Sequence, residues 1–285
     1  MQISGSRVAV RRVPLQLRRW GFAAALTAAM MLSAVVSAAA QGAGILIGDP
    51  EPDGDAVLRI IDGERTRLRA ESEPRRFYVE LMLMRAQMRL GRELYRDGDR
   101  DAGRAHFIAP ADVHLPVVRD SLMDRQLERI VERIEDFANA ARETDSLIDV
   151  QDLYATTRMA IRRAQREVEP SLREDAVFQS RVLLAMSGRA VRQFEAAIDA
   201  EGRVVDQLAY RVSWAYARHG ERLLDTFEGL LRMSDDARYE ELVERYERFV
   251  DLWPGRTPPD RIDTTSAELR AELEAMSGLV GPDDA

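Results

Sequence analysis

The stretch VELMLMRAQMRLGREL, residues 79–94, decides the fold class. Its apolar residues recur on one side at intervals of four, three, four and four positions: Val79, Leu83, Ala86, Leu90 and Leu94. These intervals match an α-helix of 3.6 residues per turn, whereas a half-buried strand would alternate at every second residue. The stretch therefore predicts an amphipathic helix with one buried face.

The same helical period continues along the chain. Apolar positions at helical spacing, with arginine, aspartate and glutamate on the opposite faces, mark further segments at 118–141, 147–168, 176–198, 205–230 and 239–253. Long helices joined by short loops pack as antiparallel neighbours. We therefore predict an all-α fold, an antiparallel up-and-down bundle of about six or seven helices.

The predicted helical bundle domain comprises residues 76–253. Three prolines and a glycine follow it, which predicts a proline-rich linker at 254–263. A short C-terminal helix at 264–277 and a tail at 278–285 complete the chain.

Two capping boxes are predicted at helix starts. A Ser or Thr followed three residues later by Glu can satisfy two free backbone N–H groups reciprocally. Ser171 with Glu174, and Thr265 with Glu268, have this spacing.

The first forty residues have the order of a secretory signal peptide. Five arginines precede an apolar segment at 20–36, and a run of alanines up to Ala40 supplies the small residues of a cleavage site. Two alternatives stay open. Residues 21–40 are long enough for an uncleaved membrane anchor, and Arg18-Arg19 suggests twin-arginine export. We expect a protein of the periplasm, or a secreted one.

Residues 41–75 differ from the bundle in composition. Glycine, proline and aspartate are frequent there, which breaks helices and predicts a flexible acidic lead. Within this lead, Asp62-Gly63 between two short runs predicts a small hairpin at 57–68.

Composition excludes several classes of function. Residues 1–40 hold five arginines and no acidic residue, so their removal takes the net charge from −8 to −13. Nucleic acid is not an expected partner, because non-specific binding to it needs clustered positive charge. We expect membrane contact only through an uncleaved signal segment. The chain has no cysteine and no lysine, which excludes thiolate metal sites, Schiff-base chemistry and the P-loop.

Residues 95–114 are the most distinctive local segment. They predict a tight helical hairpin with its turn at 97–99 and with Pro110 ending the second helix. Small and aromatic positions here also match one copy of a tetratricopeptide repeat: Leu90, Gly91, Gly98, Gly103 and Phe107. Such arrays need about three copies to form a continuous core.

His106, Asp112 and His114 form a candidate metal cluster in the same segment. Two of the three histidines of the chain lie within nine residues. Imidazole and carboxylate ligands together suit zinc, iron or copper, so a transition metal is the one cofactor under consideration. The third histidine, His219, lies on the apolar stripe of the helix at 205–230. There we expect a buried side chain with one hydrogen bond rather than a ligand.

Part of the chain resembles secreted, imelysin-related helical proteins of bacteria. The resemblance is confined to residues 81–115 and rests on three stretches: LMLMRAQ (81–87), GREL (91–94) and AHFIAP (105–110). It implies paired four-helix bundles and a histidine-based metal motif. Only His106 carries over, because Gln87, Ala109 and Asp112 stand where relatives would have histidine, histidine and glutamate. The Gly-x-His-x-x-Glu motif is absent, so the resemblance supports fold and compartment more than an activity.

The sequence contains no recognisable catalytic constellation. It lacks Gly-x-Ser-x-Gly, His-Glu-x-x-His and a glycine-rich phosphate loop. We therefore predict an exported, non-enzymatic binding or interaction protein that takes an unidentified protein or small ligand. The ligand would occupy a groove between helices or an exposed apolar stripe. The alternatives are metal handling by His106, Asp112 and His114, and a helical oligomerisation module using the arginine–glutamate helix at 125–142.

Overall fold

The computed structural model describes residues 73–144 and 146–280. The predicted signal peptide, the predicted hairpin and all of the lead before residue 73 lie outside the described residues. The described part is a bundle of α-helices without a strand, which confirms the all-α prediction. None of its helices is long and apolar enough to span a membrane.

Ten α-helices and one π-helical segment make up this part of the chain. In order they are α1 (Glu73–Arg96), α2 (Arg100–Ala109), the π segment (Pro110–His114), α3 (Leu115–Asp124), α4 (Glu128–Glu143), α5 (Leu147–Gln165), α6 (Pro170–Arg173), α7 (Ala176–Ala197), α8 (Gln207–Ser234), α9 (Asp236–Asp251) and α10 (Ser266–Val280). Seven of these α-helices have fifteen residues or more, in agreement with the predicted number of long helices.

Helix α1 is the centre of the bundle. It packs against α2, α5, α7 and α8, and successive helices such as α4 and α5, or α8 and α9, pack on each other. Because neighbours surround α1, residues 77–84 are buried on every side. The prediction of a single buried face for α1 is therefore wrong over these two turns. A helix that is apolar all round belongs inside a core.

Helices α1 and α2 form the predicted hairpin. Its turn contains Gly98, whose φ of 90° is a conformation that glycine adopts without strain. Beyond the turn the two backbones touch, since a Cβ atom on Gly91 would lie 2.9 Å from the carbonyl oxygen of Gly103. The small residues of this segment are thus required by close packing of two helices.

Pro110 ends α2 as an α-helix, as predicted, but the helical path does not stop there. The chain turns instead through the π segment, where the Leu115 amide donates to the Pro110 carbonyl five residues back. Pro110 and Pro116 each lack an N–H group, so the ordinary four-residue bonding pattern is already interrupted on both sides. A single π turn absorbs this interruption, and the helical path continues to Asp124.

The predicted helix at 118–141 is divided into α3 and α4. Gln126 has a φ of 57°, and the Leu127 amide donates to the Leu122 carbonyl over 2.9 Å. This is the bonding of a Schellman motif, in which the residue after the left-handed position packs on the preceding turn. Leu127 is buried in the core, and that contact closes α3 without a glycine.

Helix starts are capped mainly by aspartate. The carboxylate of Asp175 accepts from the Phe178 amide over 2.6 Å and begins α7, so the predicted capping box at Ser171 is wrong. The box at α10 is confirmed. The Thr265 amide donates to Glu268 over 2.8 Å, and the Glu268 amide donates to the Thr265 hydroxyl over 3.3 Å.

Candidate functional site

The structure separates the three predicted metal ligands. His106 on α2 and His114 at the end of the π segment are buried, with 1% and 3% of their surface exposed. Asp112 is exposed on the opposite side of the π turn and pairs with Arg142 over 2.6 Å. The three side chains do not converge. Within residues 73–144 and 146–280, no three metal-ligating side chains come together.

Both buried histidines belong to one hydrogen-bonded chain. The Nδ1–H group of His106 donates to Gln87 Oε1 over 2.6 Å, and Gln87 Nε2 donates to the Tyr216 hydroxyl over 3.1 Å. The Tyr216 hydroxyl donates in turn to His114 Nε2 over 3.1 Å. All donors point the same way along this chain, from α2 through α1 to α8.

The chain ends on an ion pair whose carboxylate is buried. The Nδ1–H group of His114 donates to Glu80 Oε2 over 2.8 Å, and Arg189 Nη2 donates to Glu80 Oε1 over 3.0 Å. Only 3% of the Glu80 side chain is exposed. Each end of its carboxylate is therefore occupied by a donor from another element.

Burial decides the protonation of this chain. It lowers the pKa of His106 to about 3, and the charge of Arg211 acts in the same direction. Burial also raises the pKa of Tyr216 above its ordinary value. For Glu80 burial acts upward, but the His114 hydrogen bond and the charge of Arg189 outweigh it and lower the pKa. His106 is thus neutral and Glu80 ionised at neutral pH.

We interpret this network as a positioning device for the bundle. Its side chains join α1, α2, α7, α8 and the π segment, and one atom, His106 Nε2, has no partner within the described residues. A hydrogen-bonded polar network in a core favours one arrangement of helices, since other arrangements leave more polar atoms unpaired.

A different part of the bundle holds a cavity that is lined by arginine. The cavity lies between α1, α5, α6 and α8 and has a volume of about 470 Å³, which is within the usual range for small-molecule sites. Six arginines face it: Arg85, Arg89, Arg162, Arg166, Arg173 and Arg222. No carboxylate from the described residues lines its wall.

Most of these arginines lack an acidic partner. Among the described residues, Arg89 alone of the six forms an ion pair, with Glu93 over 3.0 Å. Arg85 donates to Gln165 Oε1 over 2.9 Å, and Arg173 donates to the Val168 carbonyl over 2.9 Å, both neutral acceptors. Within the described part of the chain, five of the six guanidinium groups therefore have no carboxylate in direct contact.

Charge repulsion is visible in the pKa of two side chains. Burial and the neighbouring Arg162 lower the pKa of Arg85 to about 10. Burial and the neighbouring Arg89 lower the pKa of Arg222 below its ordinary value, against the opposing charges of Glu93 and Glu221. Both side chains remain cationic at neutral pH, so they are held close to other cations at an energetic cost.

His219 lies in the cavity wall, on α8. It is buried as predicted, but its Nδ1 atom has no hydrogen-bond partner within the described residues. Burial lowers its pKa to about 3, and the charges of Arg85, Arg222 and Arg89 act in the same direction. His219 is therefore a neutral side chain among cations.

The lining of the cavity is chemically suited to a negatively charged group. The guanidinium group presents a planar fork of N–H donors that matches carboxylate and phosphate oxygens, and such charge-assisted bonds are among the strongest in proteins. Clefts lined by one sign of charge also concentrate ligands of the opposite sign. In an acidic protein, the cavity is a local exception to the overall charge.

Comparisons of the chain with protein families, curated proteins and solved structures find no match. The resemblance to imelysin-related proteins therefore stays a prediction.

Sequence reasoning missed this cavity because its arginines come from four separate helices. Two local signals were present. Arg162 and Arg166 are one turn apart at the end of α5, and Arg85 and Arg89 are one turn apart on α1. In a chain with 32% charged residues, such pairs are indistinguishable from solvated helix faces.

Proposed function

We propose that the chain is an exported, non-enzymatic binding protein of the periplasm whose ligand is a small anion held in the arginine-lined cavity. One observation carries the proposal. Six arginines converge on one cavity, and no carboxylate of the described residues lines it. A groove between helices is also the kind of ligand site that the sequence predicts.

The energetics of the cavity favour this function. Like charges gathered in a partly buried space destabilise the unliganded fold. An anion reverses this repulsion and binds only the folded state, so it stabilises the protein in proportion to its concentration and affinity. The same arginines thus lower the stability of the free protein and raise its affinity for an anion.

The helix dipole offers a competing explanation for the position of some of the cavity arginines. Cations at a helix C-terminus interact favourably with the helix dipole, and Arg162 and Arg166 lie at the end of α5. This effect does not account for Arg85 or Arg222, which lie in the middle of α1 and α8. It also predicts no ligand.

Calorimetric titration with inorganic phosphate, at low salt and near neutral pH, tests the proposal. We expect saturable binding by the wild-type protein that weakens as salt is raised. Replacing Arg162 or Arg166 with Gln should weaken it by about tenfold or more, the value of a charge-assisted hydrogen bond. Arg163→Gln is the matched control, because it removes the same charge from the same turn of α5 outside the cavity.

Two results would contradict the proposal. One is the absence of saturable binding for phosphate and sulfate alike at low salt. The other is an equal loss of affinity in Arg163→Gln, which would show a general charge effect without a site. Export is checked on the protein isolated from the periplasmic fraction, whose N-terminal residue should be Gln41.

A further inference from the structure

The walls of the arginine-lined cavity differ in chemistry. Helices α5 and α6 contribute four side chains, and all are polar: Arg162, Gln165, Arg166 and Arg173. The apolar and aromatic side chains come entirely from α1 and α8: Tyr78, Met82, Leu223 and Phe227. The cavity therefore has one purely polar wall and two walls on which apolar surface lies beside Arg85, Arg89 and Arg222.

The apolar surface is held in place by the core. Tyr78, Met82 and Leu223 are at most 7% exposed, and Phe227 packs on the same core cluster. The Tyr78 ring meets Phe178 edge to face with centroids 5.8 Å apart. These side chains cannot turn into solvent when the cavity is empty, so the apolar walls are preformed.

The polar wall is suited to a doubly charged group. Arg162 and Arg166 are four residues apart on α5, so their side chains leave the helix on the same face. Arg173 on α6 adds a third guanidinium. Two or three guanidinium groups on one wall match a phosphate-like dianion better than a single carboxylate.

From this asymmetry we infer that the ligand is amphipathic, with a dianionic phosphate-like head on the α5–α6 wall and an apolar body between α1 and α8. The inference rests on the proposed function and specifies its ligand class. The apolar body displaces water from the partly exposed Phe227, which adds affinity that an inorganic anion does not gain. A ring of the size of phenyl fits this description.

Three probes separate head from body in calorimetric titrations of the whole protein: phenyl phosphate, inorganic phosphate and benzyl alcohol. We expect phenyl phosphate to bind about tenfold more tightly than inorganic phosphate, as burial of one small apolar group predicts. Benzyl alcohol, which carries the ring without charge, should show no saturable binding.

Variants of Phe227 and Arg166 test whether the apolar body lies against α8 and the anionic head against the α5–α6 wall. In Phe227→Ser the preference for phenyl phosphate should fall below about threefold while the affinity for inorganic phosphate is retained. Phe227→Leu, the matched control, should keep the preference. Arg166→Gln should weaken both phosphates by the same factor. Circular dichroism at each titration temperature confirms that the variants are folded.

The outcomes distinguish the two claims. If neither phosphate binds, the proposed function fails and the inference fails with it. If inorganic phosphate binds as tightly as phenyl phosphate, or if Phe227→Ser keeps the full preference, the amphipathic ligand is refuted while anion binding stands. Binding of benzyl alcohol as tight as that of phenyl phosphate would refute the anionic head.

Discussion

Acidification should destabilise the protein through two buried histidines. In the folded state the pKa of His106 and the pKa of His219 are each lowered to about 3, chiefly by burial. In the unfolded chain both have the ordinary histidine value of about 6.5. Below that value the unfolded chain binds two protons that the folded protein does not bind. The free energy of unfolding must therefore fall as the pH falls.

The magnitude follows from the two pKa values. Each histidine contributes about 1.4 kcal/mol per pH unit between its unfolded and folded pKa. Lowering the pH from about 7.5 to about 5 therefore removes about 2 kcal/mol per histidine, or about 4 kcal/mol for His106 and His219 together. That is a large part of a typical net stability of roughly 5–15 kcal/mol.

Urea denaturation at several pH values in this range measures the effect. Carboxylates titrate in the lower part of the range, so the informative quantity is the difference between wild type and variants. His219→Gln should lose about 2 kcal/mol less than wild type on acidification. The double variant His106→Gln/His219→Gln should lose about 4 kcal/mol less. Equal losses in all three proteins would refute the assignment of these histidines as buried and neutral.

Two further predictions concern packing and buried charge. Gly220→Ala should destabilise the fold by about 1–3 kcal/mol, because the new Cβ atom overlaps the Tyr246 hydroxyl. The control is Gly229→Ala in the same helix, where a new Cβ atom meets nothing within 4 Å, and it should stabilise the fold by about 0.5–1 kcal/mol. If thermal denaturation shows Gly220→Ala to be at least as stable as Gly229→Ala, the described packing is contradicted. Glu80→Gln should cost about 3–5 kcal/mol by breaking a buried ion pair, whereas Glu135→Gln at an exposed pair should change stability by less than about 1 kcal/mol. Similar losses in urea would show that the network at Glu80 is not buried as described.

The sequence was sufficient to predict the fold class because helical periodicity is a local property. Apolar residues at three- and four-residue intervals predict each long helix, and the capping box at Thr265 predicts the start of α10. Burial on all sides of α1 could not be predicted, because it depends on which other helices surround it. That arrangement is a property of the assembled bundle.

The breaks between helices were harder to predict where they rely on tertiary contacts. Gln126 takes a left-handed conformation usually given to glycine, and it does so because Leu127 then packs into the core. Pro110 looks like a helix end, yet a π turn carries the chain past it. In both cases packing outweighs the local preference of the residue.

The candidate site was beyond sequence reasoning for a geometric reason. The predicted histidines are buried together, but each ring is bonded to a residue of α1 that carried no distinctive motif, Gln87 or Glu80. The cavity arginines lie as much as 137 positions apart, between Arg85 and Arg222, so no local pattern connects them. Only the packed structure shows that they line one cavity and that, among the described residues, Arg89 alone of the six forms an ion pair.

Locating a bound anion tests the central claim most directly. Selenate is a tetrahedral dianion, and its selenium atom gives an anomalous signal in a soaked crystal. We expect one strong peak inside the cavity, within hydrogen-bonding distance of guanidinium groups from Arg162, Arg166 or Arg173. The proposal would be contradicted if selenate fully occupied sites on other surfaces while the cavity stayed empty at the same concentration.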